Sequence, residues 1–134
     1  MHQDLRSIFN KAQLRITAPR IAVFEVLQES TTPLSIMQIV RASPALDKVG
    51  VYRTIKLFSE LHIVTNIHTG WKQSYELAGP FRPHHHHLIC DGCGGMTELH
   101  SKKVERVISE IAENYGFRPL QHHFEVRGLC LNCQ

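Results

Sequence analysis

The chain has 134 residues, of which 43% are hydrophobic and 20% charged, and a formal net charge of +3. These values are typical of a folded protein with one domain or two small ones, and the apolar runs are too short for a membrane-spanning helix. No basic segment followed by an apolar stretch opens the chain, so we expect no signal peptide and a cytoplasmic protein. The positive excess lies in residues 1–80, which carry nine Lys or Arg and six Asp or Glu. An excess this small is weak evidence for a nucleic-acid partner unless the cations lie on suitable elements.

The first part of the chain, residues 1–78, predicts four short helices followed by a β-hairpin. Apolar residues at helical spacing predict the first helix, and N-cap, first-turn and capping-box residues open the next two. The four helices are predicted over about residues 5–12, 17–29, 36–42 and 49–62, and the two strands over about 63–68 and 73–77, with Thr69-Gly70 in the turn. This order is typical of a winged helix-turn-helix, whose last helix enters the major groove of DNA.

The fourth helix carries the nucleic-acid hypothesis. Its apolar positions would be buried, which leaves a polar face that is also expected of an ordinary amphipathic core helix. Tyr52 and Arg53 lie near its N-terminal end, where recognition helices contact bases and phosphates, and this favours DNA binding. Cations before and within the second helix could reach a phosphate or the minor groove, or belong to a solvated face. The candidate DNA-contacting residues are Arg15, Arg20, Tyr52, Arg53 and Lys56, with Lys11 as a further cation.

Residues 79–83 predict a stiff linker, and residues 84–134 a second domain. Alternating and apolar segments predict strands through residues 87–89, over 96–99 and over about 121–127. Ser101 is a suitable N-cap for a helix that reaches Tyr115 and is stopped by Gly116. Together the two parts predict an α+β protein.

Two CxxC pairs, Cys90–Cys93 and Cys130–Cys133, contain all four cysteines. Four thiolates form a complete tetrahedral shell for structural Zn(2+), and no open position is left for hydrolytic chemistry, so we expect no enzyme. Buried apolar cysteines are a weaker interpretation because all four occur in CxxC pairs, and a redox dithiol lacks the expected βαβ setting. The ion would join the beginning of this short domain to its end and could decide whether it folds.

A run of four histidines, residues 84–87, leads into the first strand of the second domain. In an extended segment His84 and His86 face one side, while His85 and His87 face the other. Glu105 or His122 could complete a site with the first two, and such nitrogen and oxygen donors suit Zn(2+), Fe(2+), Mn(2+) or Co(2+). On the other face, the remaining two histidines could meet Glu76 of the hairpin, or Glu98.

These residues resemble the ferric uptake regulator family over nearly the whole chain. The matching stretches are residues 14–20, 51–56, 85–90 with Cys93 and Gly94, and 128–130 with Cys133. The resemblance implies a homodimer with an N-terminal winged-helix DNA-binding domain and a C-terminal α/β dimerisation domain that contains structural zinc. It also implies a metal-loaded repressor of palindromic, AT-rich operators in double-stranded DNA, with no membrane or small-molecule substrate as partner.

The resemblance also assigns residues by position. It implies a sensory site at His84, His86, Glu105 and His122, a hinge site at Glu76, His85 and His87, a minor-groove contact at Arg15, and recognition-helix contacts at Tyr52 and Arg53. Two positions depart from the family pattern. No histidine lies in residues 33–35, so the hinge site is incomplete or borrows Glu98, His68 or water, and Gln13 stands where the family usually has glycine.

The sensed metal depends on His86. An iron sensor of this family commonly has aspartate there, so the nitrogen donor, with the second CxxC pair, favours a zinc-uptake-regulator-like protein that senses Zn(2+). Iron-sensing and peroxide-sensing repressors, with Fe(2+) or Mn(2+) as the regulatory ion, are the alternatives within the family. A zinc-stabilised protein-interaction adaptor without DNA binding is the alternative from another class.

Overall fold

A computed structural model of the chain describes residues 2–69, 71–120 and 122–134. The chain divides into two compact units, one ending at Pro83 and one beginning at His84. Both contain helices and a sheet, which confirms the predicted α+β class. Gly70, from the predicted hairpin turn, and Gln121, from the predicted last strand, lie outside the described residues. None of the described helices has the length and apolar character needed to span a bilayer.

The first unit contains four helices, and local side-chain caps open two of them, α3 and α4. They are α1 (His2–Lys11), α2 (Ala18–Glu29), α3 (Ile36–Ala42) and α4 (Lys48–Glu60). Ser35 and Gln38 form the expected capping box, and the Asp47 side chain accepts a hydrogen bond from the Gly50 N–H at 2.8 Å. Thr17 occupies the N-cap position of α2 but its side chain makes no capping hydrogen bond.

The wing is the antiparallel hairpin of β1 (Val64–Thr69) and β2 (Lys72–Leu77). Its base joins the hydrophobic core, in which Phe9, Phe24 and Phe58 are fully buried. A short 3-10 helix, Gly79–Phe81, follows the wing, and the Phe81 ring packs edge-on against the Phe24 ring at 5.0 Å. The beginning of the predicted linker therefore packs on the core of the first unit.

The second unit is a three-stranded sheet with one helix. Its elements are β3 (His86–Cys90), β4 (Met96–Leu99), α5 (Lys102–Asn114) and β5 (Glu125–Gly128). The sheet order is β4-β3-β5, with β4 antiparallel and β5 parallel to β3. The predicted start of the last strand near residue 121 is wrong, because residues 122–124 precede the ladder, which begins at the pair His87 and Glu125.

Candidate metal centres and nucleic-acid interface

The four cysteines meet where β3 and β5 end side by side. The parallel register sets Cys90 opposite Gly128, so the end of each strand, with the turn that follows it, contributes one CxxC pair. All four are free thiols whose sulfurs lie within 4.8 Å of one another, and the Sγ atoms of Cys93 and Cys130 are 3.9 Å apart. A tetrahedral zinc with Zn–S bonds of about 2.3 Å separates its sulfurs by about 3.8 Å, so this donor set fits the ion.

The thiols differ in acidity. Hydrogen bonds from the backbone N–H groups of Cys130 and Cys93 outweigh desolvation and lower the pKa of Cys90 to about 6. Side-chain hydrogen bonds with Cys130 and Cys90, together with desolvation, raise the pKa of Cys133 to about 12. At neutral pH the cluster therefore retains a proton by itself, and full deprotonation requires the charge of a bound cation.

Two features beside the cysteines keep the knuckles close. A Cβ atom added at Gly92 would lie 2.8 Å from the Cβ of Cys133, so only glycine fits this approach. The Arg127 guanidinium donates to the carboxylates of Asp91 and Glu125, and these partners, the first above all, raise the pKa of Arg127. The sequence pattern does not predict this ion pair, since its members lie 36 residues apart and only the parallel pairing of β3 and β5 brings them together.

A second group joins all four residues of the predicted sensory site. His86 begins β3, Glu105 lies in the first turn of α5, and His122 lies in the loop before β5. The Oε1 atom of Glu105 is 2.5 Å from His86 Nε2 and 3.4 Å from His84 Nε2. The Nε2 atom of His122 lies 3.0 Å from His84 Nε2 and 3.2 Å from Glu105 Oε2. Donors around a tetrahedral zinc with bonds of about 2.05 Å lie about 3.3 Å apart, so the group fits a small divalent cation.

The electrostatics of this group also suit a cation. Desolvation by itself would raise the pKa of Glu105, but the hydrogen bond with His86 and the charges of His84 and His122 outweigh it and hold that pKa below its usual value. Desolvation lowers the pKa of His84, and the neighbouring imidazoles oppose the raising effect of Glu105. An ionised carboxylate beside a neutral imidazole is the protonation state in which both groups act as metal ligands.

The predicted hinge ligands divide between the two units, with Glu76 in the first and His85 and His87 in the second. This site stays a prediction. Within the first unit, Arg82 Nη1 lies 3.6 Å from a carboxylate oxygen of Glu76. Within the second unit, the sheet register pairs His87 with Glu98, the other candidate ligand.

The candidate nucleic-acid face lies on α4. Val51, Ile55 and Phe58 are buried, as the helical spacing predicts, and the opposite side of the helix is exposed. The exposed candidates on that side are Tyr52, Arg53 and Lys56. A single helix thus joins the core of the first unit and offers an aromatic ring and two cations to solvent.

Of the two arginines near α2, Arg15 is exposed and Arg20 has local partners. The Arg20 guanidinium donates to the Arg15 carbonyl oxygen at 2.5 Å and lies 5.6 Å from the centre of the Phe9 ring. These contacts hold the segment between α1 and α2, so Arg20 positions Arg15 as well as adding charge.

Comparison with known proteins identifies relatives across the whole chain. The model of the ferric uptake regulator family matches residues 11–127. The ferric uptake regulation protein of Campylobacter jejuni is 36% identical over 98% of this chain and 87% of its own length. The structure of the Helicobacter pylori ferric uptake regulator, described as having three functional metal-binding sites, has a TM-score of 0.82 and 26% identity over 98% of this chain and 90% of its own. The Vibrio cholerae ferric uptake regulator has a TM-score of 0.77 and 29% identity over 91% and 96%.

Proposed function

Because this chain belongs to the ferric uptake regulator family, we propose that it is a zinc-sensing transcriptional repressor that binds palindromic, AT-rich operators as a metal-loaded homodimer. Proteins of this family are metal-responsive transcription regulators rather than enzymes, and the finer proposal concerns the metal, the operator and the assembly. Since a repressor acts where the DNA is, we expect this one in the cytoplasm.

The observation that carries the proposal is the cluster of His84, His86, Glu105 and His122, which is separate from the thiol cluster. Two donor sets of different chemistry suit one ion that holds the fold and another that is sensed. Three imidazoles with one carboxylate favour zinc over harder cations that prefer oxygen donors. His86 contributes most to this preference, since it is a buried nitrogen donor on β3 and lies next to Glu105.

The sensory donors come from separate segments of the second unit, so a bound ion would fix these segments in one arrangement. An ion that binds the DNA-competent conformation more tightly shifts the population toward it. At a concentration 100-fold above its dissociation constant for that conformation, the bias reaches about 2.7 kcal/mol, or about 100-fold in the equilibrium.

The surface of the second unit supports a homodimer. Among the described residues α5 has no buried side chain; its apolar residues Val107 and Ile111 are 41% and 55% exposed, and its C-cap residue Tyr115 is 80% exposed. β5 is exposed along its whole length and includes Val126. An exposed apolar helix face and an exposed strand that carries apolar residues favour burial against a second copy of the chain.

Fluorescence anisotropy of a labelled palindromic, AT-rich duplex tests the proposal under buffered free Zn(2+) and, anaerobically, under Fe(2+). We expect tight binding at trace free zinc, far below any iron requirement. Binding that requires iron while zinc occupies only the thiol site would refute zinc sensing and favour the iron-responsive alternative. Loss of DNA binding on peroxide treatment of the iron-loaded protein, with oxidised histidines found by mass spectrometry, would favour the peroxide-sensing alternative.

The double variant Tyr52→Ala/Arg53→Ala separates a repressor from an adaptor. Both side chains are exposed, so the variant should fold and self-associate as the parent does. A repressor loses its DNA affinity in this variant. A protein that binds no duplex under either metal, before or after the substitution, is an adaptor.

A further inference from the structure

The tip of the wing carries the only tryptophan of the chain, Trp71, with an exposed fraction of 104%. A tryptophan ring is among the largest apolar surfaces a residue can bury, and burying it contributes strongly to cores and interfaces. Its full exposure on a two-stranded hairpin therefore suggests a surface that is covered by a partner.

The charge around Trp71 indicates the chemistry of that partner. Lys72 follows it and is exposed, and His68 and Gln73 form an exposed cross-strand pair. The chain has no Asp or Glu between Glu60 and Glu76, so the wing carries no carboxylate from the start of β1 to Tyr75. An aromatic ring with a cation in a segment free of carboxylates is complementary to a polyanion that also offers stacking or apolar surface, which is the chemistry of nucleic acid.

The face of the wing that carries the exposed Gln73 continues into the core of the first unit, where Tyr75 is buried. Gln73 and Tyr75 lie on the same face of β2, and the Tyr75 hydroxyl donates to Gln73 Oε1 at 3.1 Å. Burial raises the pKa of Tyr75, and the neighbouring Tyr52 of α4 raises it further. Val51 of α4 and Tyr75 of β2 belong to the same hydrophobic core, so the recognition helix packs beside the wing.

The wing is long enough to extend past the edge of the major groove that α4 would enter. Trp71 precedes Tyr75 by four positions, which corresponds to about 13 Å of extended strand. The major groove of B-DNA is about 12 Å wide. With α4 in the groove, the hairpin tip can therefore reach the phosphate backbone at its edge and the minor groove beyond.

We propose that Trp71 is a further DNA contact, whose indole packs into the minor groove flanking the major groove that α4 enters, while Lys72 pairs with a phosphate. This inference rests on the proposed function and adds a positioning contact to it. Apolar side chains that enter the minor groove act as wedges, and AT-rich sequence narrows this groove and strengthens its attraction for cations. The contact would give the repressor a preference for sequence next to the major-groove site.

The single tryptophan makes the contact directly observable. The metal-loaded protein is titrated with the labelled palindromic duplex, and duplex anisotropy, tryptophan emission and acrylamide quenching are recorded on the same samples. Emission of the metal-loaded protein without DNA is the baseline. As the anisotropy saturates, we expect the emission to change and the accessibility of the indole to acrylamide to fall in proportion to the bound fraction.

Substitutions then test whether the contact contributes to affinity. We expect Trp71→Ala to weaken binding about tenfold, or about 1.4 kcal/mol, and Trp71→Phe to recover part of the loss. Lys72→Gln should lower the slope of log affinity against log salt by about one phosphate contact. Leu131→Ala, at an apolar residue of the second unit with an exposed fraction of 88%, is the matched control and should bind as the parent does.

The outcomes separate this inference from the function on which it rests. Saturating anisotropy with unchanged emission and quenching would refute the wing contact and leave the repressor intact. Parent-like affinity of Trp71→Ala would also overturn it, whatever the emission shows. Absence of any anisotropy rise would refute the proposed function and the wing contact together.

Discussion

Removing the metal from the thiol site should unfold the second unit and leave the first unit folded. The hydrophobic core cluster lies in the first unit, where side chains of the helices and the wing pack together. Among the described residues of the second unit, the buried apolar side chains are Ile89 and Cys90. The two units therefore rely on different sources of stability.

The magnitudes support this separation. Burial of a side chain such as Ile89 contributes about 1.5–3 kcal/mol. A structural zinc on four thiolates contributes about 10–16 kcal/mol at neutral pH, which is several times the burial of one side chain.

Hydrogen exchange measured by mass spectrometry checks the prediction region by region. After a strong chelator, or in the Cys93→Ser variant, amides of β3, α5 and β5 should lose protection while those of α2 and α4 keep it. Asn132→Ala is the matched control, because Asn132 is exposed between Cys130 and Cys133 and supplies no thiolate. If α5 remained protected after the metal was removed, or if both units lost protection together, the reasoning would be refuted.

Three further substitutions test local features. Gly92→Ala should open the first knuckle, because the added Cβ would meet Cys133, and a chelator should then release zinc at least tenfold faster. Gly128→Ala is the control, because no atom lies within 4 Å of its added Cβ, and it should release zinc at the parent rate. Asp47→Ala removes the side-chain cap of α4 and should cost about 1 kcal/mol, measured by denaturant unfolding; an unchanged midpoint would show that the cap contributes nothing. Glu105→Gln removes the only carboxylate from the sensory donors. In the anisotropy titration it should lower the affinity for the metal that supports DNA binding about 10–100-fold, without loss of zinc from the thiol site. A parent-like metal requirement would exclude Glu105 as a ligand.

Local rules predicted the elements that local chemistry decides. α3 begins at the capping box of Ser35 and Gln38 and spans the predicted residues 36–42, and β4 spans the predicted 96–99. The two-residue period of an extended chain brought His84 and His86 to one side, where Glu105 lies within contact distance of both. These features depend on a few neighbouring residues, so the sequence pattern was sufficient.

Local sequence patterns did not predict how distant segments of the chain pair with one another. The last strand begins at Glu125 because its partner residues in β3 set the parallel ladder, and His122 contacts the histidines rather than extending that ladder. The pair of Arg127 and Asp91 depends on the same register. A register between distant segments is fixed by packing and side-chain contacts, which the hydrophobic period does not specify.

Gln13 shows how a departure from the family pattern can be interpreted physically. It has a φ of 56° between α1 and α2, in the left-handed region where glycine is favoured. A residue with a Cβ pays about 1 kcal/mol there, which accounts for the usual family glycine. The Gln13 N–H donates to the Asn10 carbonyl, and the Leu14 N–H to that of Phe9, so the turn keeps its backbone hydrogen bonds.

The exposed apolar face of α5 indicates that the second unit needs a partner to be fully folded. Apolar residues at helical spacing give α5 a face that must be covered, but amphipathicity does not specify whether the cover comes from the same chain or from another. Because the described structure leaves Ile111 more than half exposed, the second unit has neither a large core nor a covered helix by itself. If zinc and a second copy supply what the core lacks, folding, assembly and metal binding are thermodynamically linked, and stripping the thiol site should weaken self-association as well as fold.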